Sequence, residues 1–434
     1  MKIRLPETCL VFLIGASGSG KSSLAKKLFD PYEILSSDHF RAVISNDESD
    51  QEASTDAFEV LHRLVEMRLK RGLFTVVDAT NVKREARRPL LKISRQYHFL
   101  TAAIILDFNE DKCIQRNQER TYRIVDSEVI RKQIDDLQFS LRVLKKEGFS
   151  FIYRFTSPEE LSELSLEKFS LKNNRRKEKG PFDIIGDIHG CFDELYELLH
   201  RLGYQIRLNI HGNEESFSIR HSENRIPVFL GDLVNKGPKN IRVLRFVMDL
   251  VNENMAYCVL GNHEKKLLYY LRGKDSRLRG GLQDTIEQLS GYSAEFRNSV
   301  VEFIRRLSDH YVFDHGNLVV AHAGLREEMQ GRTSMGVRNF CMYGENSDDV
   351  DEYGMPVRYS WVQNYRGKAR VVFGHTPILE PEWYNRTIDI DTGCVYGGRL
   401  TALRYPELEM VSVQARKIYY QSRSPLPQHL SLQS

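Results

Sequence analysis

The stretch FDIIGDIHGC, residues 182–191, decides how the second half of the chain folds. It begins as a buried strand and ends in an aspartate, a glycine turn and a histidine. Asp187 and His189 lie two residues apart, so both side chains can leave the strand end on the same side. A carboxylate and an imidazole placed together form half of a metal site. The sequence therefore predicts metal ligands at the end of this strand.

Four later fragments supply the other half of the site, each at a predicted strand end. They are Gly231-Asp232, Gly261-Asn262-His263-Glu264, His322-Ala323-Gly324 and Gly374-His375-Thr376. Two metal ions about 4 Å apart can clamp a phosphate between them. We expect Asp187 and His189 to bind one ion, with Asp232 bridging both. The ligands expected on the second ion are Asn262, His322 and His375.

The ligand types indicate the metal and the chemistry. Oxygen and imidazole ligands without a thiol favour manganese or a similar ion, so we expect two Mn²⁺ in this site. His263 follows Asn262 directly and is a candidate proton donor to a leaving alkoxide. The site is therefore predicted to hydrolyse phosphoesters.

This pattern resembles the binuclear metallophosphoesterase superfamily from about Phe182 to the strand after Asp391. The resemblance implies an α/β sandwich. The superfamily often has Asp-Arg where this chain has Asn235-Lys236. Asn235 cannot stabilise an imidazolium by charge, which weakens the expected proton donation by His263. Lys236 keeps the positive charge for binding phosphate but loses the two-pronged fork of arginine.

The segment from Asp389 to Leu400 resembles the nucleotide- and polynucleotide-directed bacterial members of the superfamily. The resemblance implies that Asp391 lies near the metals, as a further ligand or as part of the phosphate pocket. A turn at a strand end is the alternative role for this aspartate.

The first half of the chain opens with a phosphate-binding loop. An apolar run from Cys9 to Ile14 predicts a central parallel strand, and Gly15-Ala16-Ser17-Gly18-Ser19-Gly20-Lys21-Ser22 follows it. In such a loop the lysine reaches the β- and γ-phosphates of ATP and the serine holds Mg²⁺. The predicted ATP-binding residues of this loop are Gly15, Ser17, Gly18, Ser19, Gly20, Lys21, Ser22, which also takes Mg²⁺, and Ser23.

Two aspartates follow the next predicted strands of this domain. Asp38 comes after a strand over Tyr32 to Ser37, where it can take a proton from an acceptor hydroxyl while Arg41 grips an anionic part of the acceptor. The alternative is a helix N-cap with a solvated arginine. Asp78 follows Leu73 to Val77 and is expected either to hold a magnesium-bound water or to cap a helix.

A later polar helix carries Arg116, Arg120 and Arg123 on one face. Such a face either closes over a triphosphate or is simply solvated. With the loop, Asp38 and Arg41, it resembles the 5′-hydroxyl polynucleotide kinase family. The resemblance implies that Asp38 is the general base, that Arg41 grips the acceptor phosphate, and that Arg116 and Arg120 are lid arginines. Small-molecule kinases of similar build stay open as an alternative.

Composition and boundaries complete the prediction. The 434 residues are 41% hydrophobic and 28% charged with a net charge of +3, as in an ordinary globular protein. Scattered cysteines and no secretory signal predict a cytoplasmic protein with free thiols, and no apolar run reaches the roughly 20 residues of a membrane span. The expected α/β domains are a P-loop parallel sheet over 1–156, a polar linker over 157–180, a phosphoesterase over 181–421 and a disordered tail over 422–434.

The order of kinase and phosphatase resembles the bacterial polynucleotide kinase–phosphatases that heal RNA ends. This implies phosphorylation of 5′-OH ends and removal of 2′,3′-cyclic, 2′- or 3′-phosphates. The expected partners are RNA or DNA ends and a separate RNA ligase, because we expect no counterpart of the family's adenylyltransferase domain in this sequence; a fragment of a longer chain is the alternative. An RNA methyltransferase, which works with the family in some bacteria, is a further candidate partner.

Two other functions stay open. One is hydrolysis of dinucleoside polyphosphates or phosphoproteins with a regulatory ATP-binding domain. The other is a non-catalytic nucleic-acid adapter that uses ATP as a switch.

Overall fold

A computed structural model describes residues 1–119, 124–211, 214–274, 277–350, 356–358, 361–422 and 424–430. The chain divides into two compact units. Unit 1 comprises Met1–Leu171 with Arg332–Ser334, and unit 2 comprises Lys172–Gly331 with Met335–Ser434.

The strands of unit 1 are β1 (Lys2–Pro6), β2 (Cys9–Gly15), β3 (Ile34–Ser36), β4 (Thr75–Asp78), β5 (Leu100–Leu106), β6 (Phe151–Phe155) and β7 (Ser165–Phe169). Its helices are α1 (Lys21–Leu28), α2 (Ser37–Ser45), α3 (Ser54–Lys70), α4 (Arg84–Gln96), α5 (Glu110–Gln118) and α6 (Ser127–Leu141).

The central sheet of unit 1 is parallel, with strand order β3-β4-β2-β5-β6. Strand β2 is buried at every position, which explains its continuous apolar sequence. Its residues alternate between two hydrophobic cores, because successive side chains of a strand point to opposite faces. Helices α1 and α5 pack into one core, and α3 and α4 into the other. The predicted parallel sheet with helices on both faces is confirmed.

The strands of unit 2 are β8 (Asn174–Arg175), β9 (Phe182–Ile185), β10 (Gln205–His211), β11 (Glu214–Arg220), β12 (Ile226–Phe229), β13 (Tyr257–Cys258), β14 (His310–Phe313), β15 (Leu318–Ala321), β16 (Asn346–Val350), β17 (Pro356–Arg358), β18 (Arg370–Phe373), β19 (Trp383–Tyr384), β20 (Thr387–Asp389), β21 (Arg399–Tyr405) and β22 (Met410–Gln414). Its helices are α7 (Phe192–Leu202), α8 (Asn240–Asn252), α9 (Asn262–Leu271), α10 (Leu282–Ser290), α11 (Ala294–Arg306), α12 (Met335–Tyr343) and α13 (Trp361–Asn364).

Two sheets form the centre of unit 2. Their strand orders are β13-β12-β9-β21-β22 and β19-β20-β18-β15-β14-β8. The inward side chains of both sheets, such as Phe182 and Phe313, share one hydrophobic core. Helices α7 and α8 cover the outer face of the first sheet, and α12 and α13 cover that of the second. The predicted α/β sandwich is confirmed.

The predicted polar linker forms strands instead of a solvated connector. Strand β7 pairs in parallel with β1, and β8 pairs with β14. In β7, Leu166 and Phe169 are partly buried on opposite faces of the strand, and Lys2 forms an ion pair with Glu167 at 2.8 Å. Two short strands thus lie within the predicted connector, over 165–169 and 174–175, and most of the charge run over 172–179 lies outside them.

The tail, predicted to be disordered, is ordered over its described part, 424–430. The N–H groups of Leu379 and Glu380 each donate to a tail carbonyl, of Pro427 and Gln428, at 2.9 Å. Within the ranges that the structure describes, no helix is long and apolar enough to cross a bilayer.

Candidate active sites

The predicted metal ligands of unit 2 gather where its strands end. In the first sheet, Asp187 follows β9 and Asp232 follows β12, and Asn262 is the first residue of helix α9, which comes after β13. In the second sheet, His322 follows β15, His375 follows β18 and Asp391 follows β20. The carboxyl ends of parallel strands meet at one edge of a sheet, and this edge is where ligands bind in open α/β sheets. The loops bring the side chains together there.

Glycines allow these loops to approach closely. A Cβ on Gly374 would lie 2.4 Å from Asp187 Oδ1, and a Cβ on Gly261 would lie 2.4 Å from the backbone nitrogen of Asp232. Both distances are shorter than real Cβ atoms tolerate. Several ligand residues also have a positive φ, among them His189 at 44° and Asp232 at 46°. The surrounding fold therefore holds strained backbone at the site, as functional sites often do.

Asp232 belongs to two groupings of possible ligand atoms. One contains His189, Asp232 and His263, and the other contains Asp232, His322 and His375; within each, the ligand atoms lie within 4.8 Å of one another. The position of Asp232 is the one predicted for a bridging ligand. His263, predicted only as a proton donor, lies with the first grouping.

Backbone carbonyls orient two of the imidazoles. His189 Nδ1 lies 3.0 Å from the carbonyl oxygen of Val234, and His322 Nδ1 lies 2.9 Å from that of Leu230. A ring N–H that donates to a carbonyl leaves the other nitrogen free as a ligand. The Nε2 atoms accordingly face Asp232, at 3.6 Å from His189 and 3.4 Å from His322.

The second grouping also receives Asn262. His322 Nε2 lies 3.3 Å from Asn262 Oδ1 and 3.0 Å from His375 Nδ1. Asn262, His322 and His375 are thus brought together as predicted. Asp187 Oδ2 accepts the His375 backbone N–H at 3.2 Å, and its expected role as a ligand beside His189 stays a prediction.

The carboxylates of the site carry an excess of negative charge. Asp187 is buried, and its Oδ1 has no hydrogen-bond partner among the described residues. Burial raises the pKa of Asp187 well above its ordinary value, and the carboxylates of Asp391 and Asp232 raise it further. Asp391 therefore lies near the centre, and its Oδ1 also accepts the N–H of Gly393 at 3.0 Å in a strand-end turn. Both roles considered for Asp391 are compatible with this geometry.

These residues fit divalent cations. An orphaned carboxylate oxygen, crowded acidic groups and imidazole nitrogens without a thiol form a donor set for such ions. Two ions held there would neutralise the charge of a phosphoryl group and polarise it towards attack. The residues that would hold them are Asp187, His189, Asp232, Asn262, His322 and His375.

His263 has partners that the sequence pattern did not disclose. Asn235 Nδ2 lies 2.7 Å from His263 Nδ1, and Thr285 Oγ1 donates to Asn235 Oδ1 at 2.7 Å. The amide therefore donates to Nδ1, and the ring proton of neutral His263 sits on Nε2. Thr285 comes from α10, far along the chain, and no local motif marks it.

Glu264 supports the Asp232 loop from behind. Its carboxylate accepts the N–H groups of Asp232 and Leu233, each at 2.8 Å. Burial raises the pKa of Glu264 to about 8, and the charge of Asp232 adds to this rise. Glu264 belongs to the sequence fragment Gly261-Asn262-His263-Glu264, so its nearness to Asn262 in the sequence could have indicated this supporting role.

Lys236 lies next to His189 of the metal centre. Its Nζ is 3.0 Å from His189 Nε2 and 5.1 Å from the ring centroid of Tyr396. Burial lowers the pKa of Lys236, while the carboxylates of Asp232 and Asp391 raise it. The ammonium therefore lies beside an expected metal ligand, and its role in binding phosphate stays a prediction.

The phosphate-binding loop of unit 1 connects β2 with α1. Gly18 and Gly20 have φ angles of 81° and 92°. A Cβ on Gly18 would lie 2.0 Å from the carbonyl oxygen of Cys113, so only glycine fits beneath α5. Lys21 Nζ donates to the carbonyls of Gly15 and Ala16, both at 2.9 Å. These two hydrogen bonds tie the Lys21 side chain to the start of the loop.

Arg116 lies beside this loop. Its Nη1 is 3.4 Å from the position of a Cβ on Gly20. Of the two predicted lid arginines, Arg116 is thus next to the phosphate site, and Arg120 lies outside the described residues, as does Arg123. Gln133 of α6, which the sequence did not single out, accepts the N–H of Ser17 at 2.7 Å.

Asp78 faces the magnesium position of the loop. Ser22 donates a hydrogen bond to its carboxylate, and Asp78 Oδ1 is buried without a partner in the described part of the chain. Lys83, not Asp78, is at the N-cap of α4, so the capping alternative is wrong. Burial raises the pKa of Asp78, and the nearby charge of Asp38 also raises it. The group fits a hydrated cation beside ATP.

Asp38 and Arg41 lie together on the first turns of α2. The predicted strand is shorter than expected, and Ser36 rather than Asp38 caps the helix, because its side chain accepts the N–H of His39 at 3.4 Å. Arg41 is buried, forms an ion pair with Asp38 and donates from Nε to the carbonyl of Glu48 at 3.0 Å. The alternative of an N-cap with a solvated arginine is therefore wrong.

A family model described as a calcineurin-like phosphoesterase matches residues 180–411, which is more than half of the chain. The chain belongs to this phosphoesterase family. A second model, described as an AAA domain, matches residues 10–144 and covers the P-loop of unit 1. The calcineurin-like unit thus accompanies a P-loop unit of kinase-like type.

Curated relatives of this calcineurin-like phosphoesterase are bis(5′-nucleosyl)-tetraphosphatases of the asymmetrical type. The protein from Bacillus subtilis strain 168 is 42% identical over 246 residues, which cover 56% of this chain and 98% of the relative. That from Halalkalibacterium halodurans is 40% identical over 240 residues, covering 54% of this chain and 94% of the relative. These alignments concern the phosphoesterase part alone.

Proposed function

We propose that the chain is a bifunctional enzyme that processes nucleic-acid ends. Unit 1 transfers the γ-phosphate of ATP, with Mg²⁺, to a 5′-OH end. Unit 2 removes a 2′,3′-cyclic, 2′- or 3′-phosphate with two divalent ions, preferably Mn²⁺. The substrate is RNA or DNA with such ends, and a separate RNA ligase joins the products.

One observation carries the proposal for unit 1. Asp38 lies close enough to Asp78 to raise its pKa, and Asp78 accepts a hydrogen bond from Ser22 of the phosphate loop. This proximity supports a role for Asp38 beside the triphosphate, where an acceptor hydroxyl would enter. A site that only bound ATP as a switch would not need this group.

The residues of unit 1 divide the work of phosphoryl transfer. Lys21 and the loop N–H groups hold the phosphates, and Asp38 takes the proton from the acceptor hydroxyl. Arg41 orients Asp38 through their ion pair. Arg116, beside Gly20, offsets the charge of the transferring phosphoryl group.

The residues of unit 2 place the phosphoester at the metal centre. Lys236 binds a phosphate oxygen near His189. As an imidazolium, His263 can give the proton on Nε2, which lies 3.9 Å from Asp232 Oδ2, to the leaving oxygen. Asn235 and Thr285 hold the ring for this step.

A second candidate function is hydrolysis of dinucleoside polyphosphates, with ATP binding to unit 1 in a regulatory role. The similarity of unit 2 to bis(5′-nucleosyl)-tetraphosphatases supports it. The neutral Asn235 behind His263 also suits it, because a nucleotide leaving group needs less protonation than a ribose alkoxide. The intact Lys21, Asp38 and Arg41 arrangement favours the first proposal.

Steady-state kinetics on matched substrates test the proposal. An oligonucleotide 3′-phosphate and diadenosine tetraphosphate are compared by kcat/KM with Mn²⁺, and 5′-OH RNA is assayed separately with ATP and Mg²⁺. We expect phosphorylation of the RNA and a higher kcat/KM for the 3′-phosphate. Hydrolysis of the tetraphosphate alone, without RNA phosphorylation, would establish the second candidate instead.

A further inference from the structure

We propose that Lys266 forms a second phosphate-binding subsite on the leaving-group side of the metal centre. The inference rests on the proposed phosphoester hydrolysis by unit 2. The ligand is a phosphate group that the leaving group itself carries, so the substrate has at least two phosphates. Such a group belongs either to a polyphosphate chain or to the internucleotide linkage beside a 3′-phosphate.

Lys266 lies one helical turn beyond Asn262 on α9, so both side chains lie on the same face of the helix. A Cβ placed on Gly280 would lie 3.9 Å from Lys266 Nζ and equally 3.9 Å from His263 Cε1. The ammonium and the imidazole edge thus face the same small space. Because His263 addresses the leaving oxygen, Lys266 stands where the rest of the leaving group departs.

Two glycines leave this space open. Gly280 and Gly281 have φ angles of 64° and 77°, and a Cβ on Gly281 would lie 2.4 Å from the backbone nitrogen of Lys236. The turn therefore packs tightly on the Lys236 backbone and presents no side chain towards Lys266. A phosphate can approach the ammonium there.

Lys266 is partly buried but has no hydrogen bond or ion pair with any residue in the described ranges. Burying an ammonium without a partner is costly, which favours a site that receives an anion. Asp232, Glu264 and Lys236 all act electrostatically on Lys266. Lys236 thus lies beside His189, and Lys266 lies near His263.

Lys265 provides the matched control. It is the neighbouring residue, also partly buried, but its Nζ lies 5.7 Å from the ring centroids of both Tyr269 and Tyr343. Its charge thus rests on aromatic faces and does not need an anion.

The test measures binding to the full-length protein at fixed free Mn²⁺ by calorimetry, and inhibition of p-nitrophenyl phosphate hydrolysis. The probes are orthophosphate, tripolyphosphate and uridine 3′,5′-bisphosphate. For Lys266→Gln we expect about tenfold weaker binding of at least one two-phosphate probe, as expected for a lost charge-assisted hydrogen bond. Orthophosphate binding and the KM for p-nitrophenyl phosphate should stay unchanged, Lys266→Arg should restore affinity, and Lys265→Gln should behave as wild type.

The outcomes distinguish polyphosphates from nucleic-acid ends as the ligand, and they distinguish the Lys266 subsite from the proposed function of unit 2. Weakening of tripolyphosphate alone assigns the subsite to polyphosphates, and weakening of the bisphosphate alone assigns it to nucleic-acid ends. Equal weakening of all three probes, or of none, would overturn the subsite. Absence of any metal-dependent hydrolysis would instead refute the proposed function of unit 2, and the calorimetric affinities would still decide on Lys266.

Discussion

The phosphate loop of unit 1 and the metal centre of unit 2 are built in opposite ways. The loop is one continuous segment between β2 and α1, and its binding groups are largely backbone N–H groups. The metal centre collects side chains from separate strand ends between Asp187 and Asp391. A continuous loop carries its geometry in its own sequence, whereas a distributed centre depends on the register of two sheets. The loop could therefore be recognised from one short motif, and the metal centre only from several fragments taken together.

The largest expected effect is on the residue that both metal groupings share. Asp232→Ala removes a ligand from each grouping, so hydrolysis of p-nitrophenyl phosphate with Mn²⁺ should fall by about 10³-fold. Phosphorylation of 5′-OH RNA, measured on the same preparation, should persist. A variant that keeps most of its hydrolysis would show that the groupings are not one centre.

The converse substitution removes a group from the site of unit 1. Asp38→Ala removes the proposed general base of unit 1, so the rate of RNA 5′-phosphorylation should fall by about 10²-fold or more. Hydrolysis by unit 2 serves as the control and should be unaffected. If both activities declined together, the two sites would not be independent.

A glycine substitution probes the distributed centre without touching a ligand. In Gly374→Ala the new Cβ would collide with Asp187 Oδ1, so metal affinity, measured by titration with Mn²⁺, should fall by about tenfold or more. Gly291→Ala is the matched control, because a Cβ there meets no atom within 4 Å. Equal metal affinities in the two variants would contradict the close packing of the loops.

The smallest expected effect concerns the partner of His263. Asn235→Asp should raise the rate on phenyl phosphate relative to p-nitrophenyl phosphate by about threefold, because a carboxylate stabilises the imidazolium that protonates a poor leaving group. The ratio of kcat values on the two substrates is the readout. An unchanged ratio would mean that another group near His263 already fills this role.

The sequence predicted the fold of both units because their central strands carry strong signals. Cys9–Ile14 and the stretch from Phe182 read as buried strands, and each leads into a polar motif at the strand end. The ligand set was also visible, because each member follows such a strand.

What the sequence could not show depends on contacts between distant segments. Thr285 reaches Asn235 only because α10 packs beside the Asp232 loop, and Gln133 reaches Ser17 from α6. The hydrogen bond from the His375 backbone to Asp187 is another such contact, because it joins strand ends of the two sheets. Residues 157–180 have the composition of a connector, although two short segments within them pair as strands β7 and β8.

The most direct test of the account uses one RNA with a 5′-OH and a 2′,3′-cyclic phosphate end. The RNA is incubated with the protein, ATP, Mg²⁺ and Mn²⁺, and its products are resolved by mass. The account predicts that a single product gains a 5′-phosphate and loses the phosphate at its 3′ end. An RNA that is processed at the 3′ end alone, or at neither end, would contradict the claim that the chain acts on both ends of a nucleic acid.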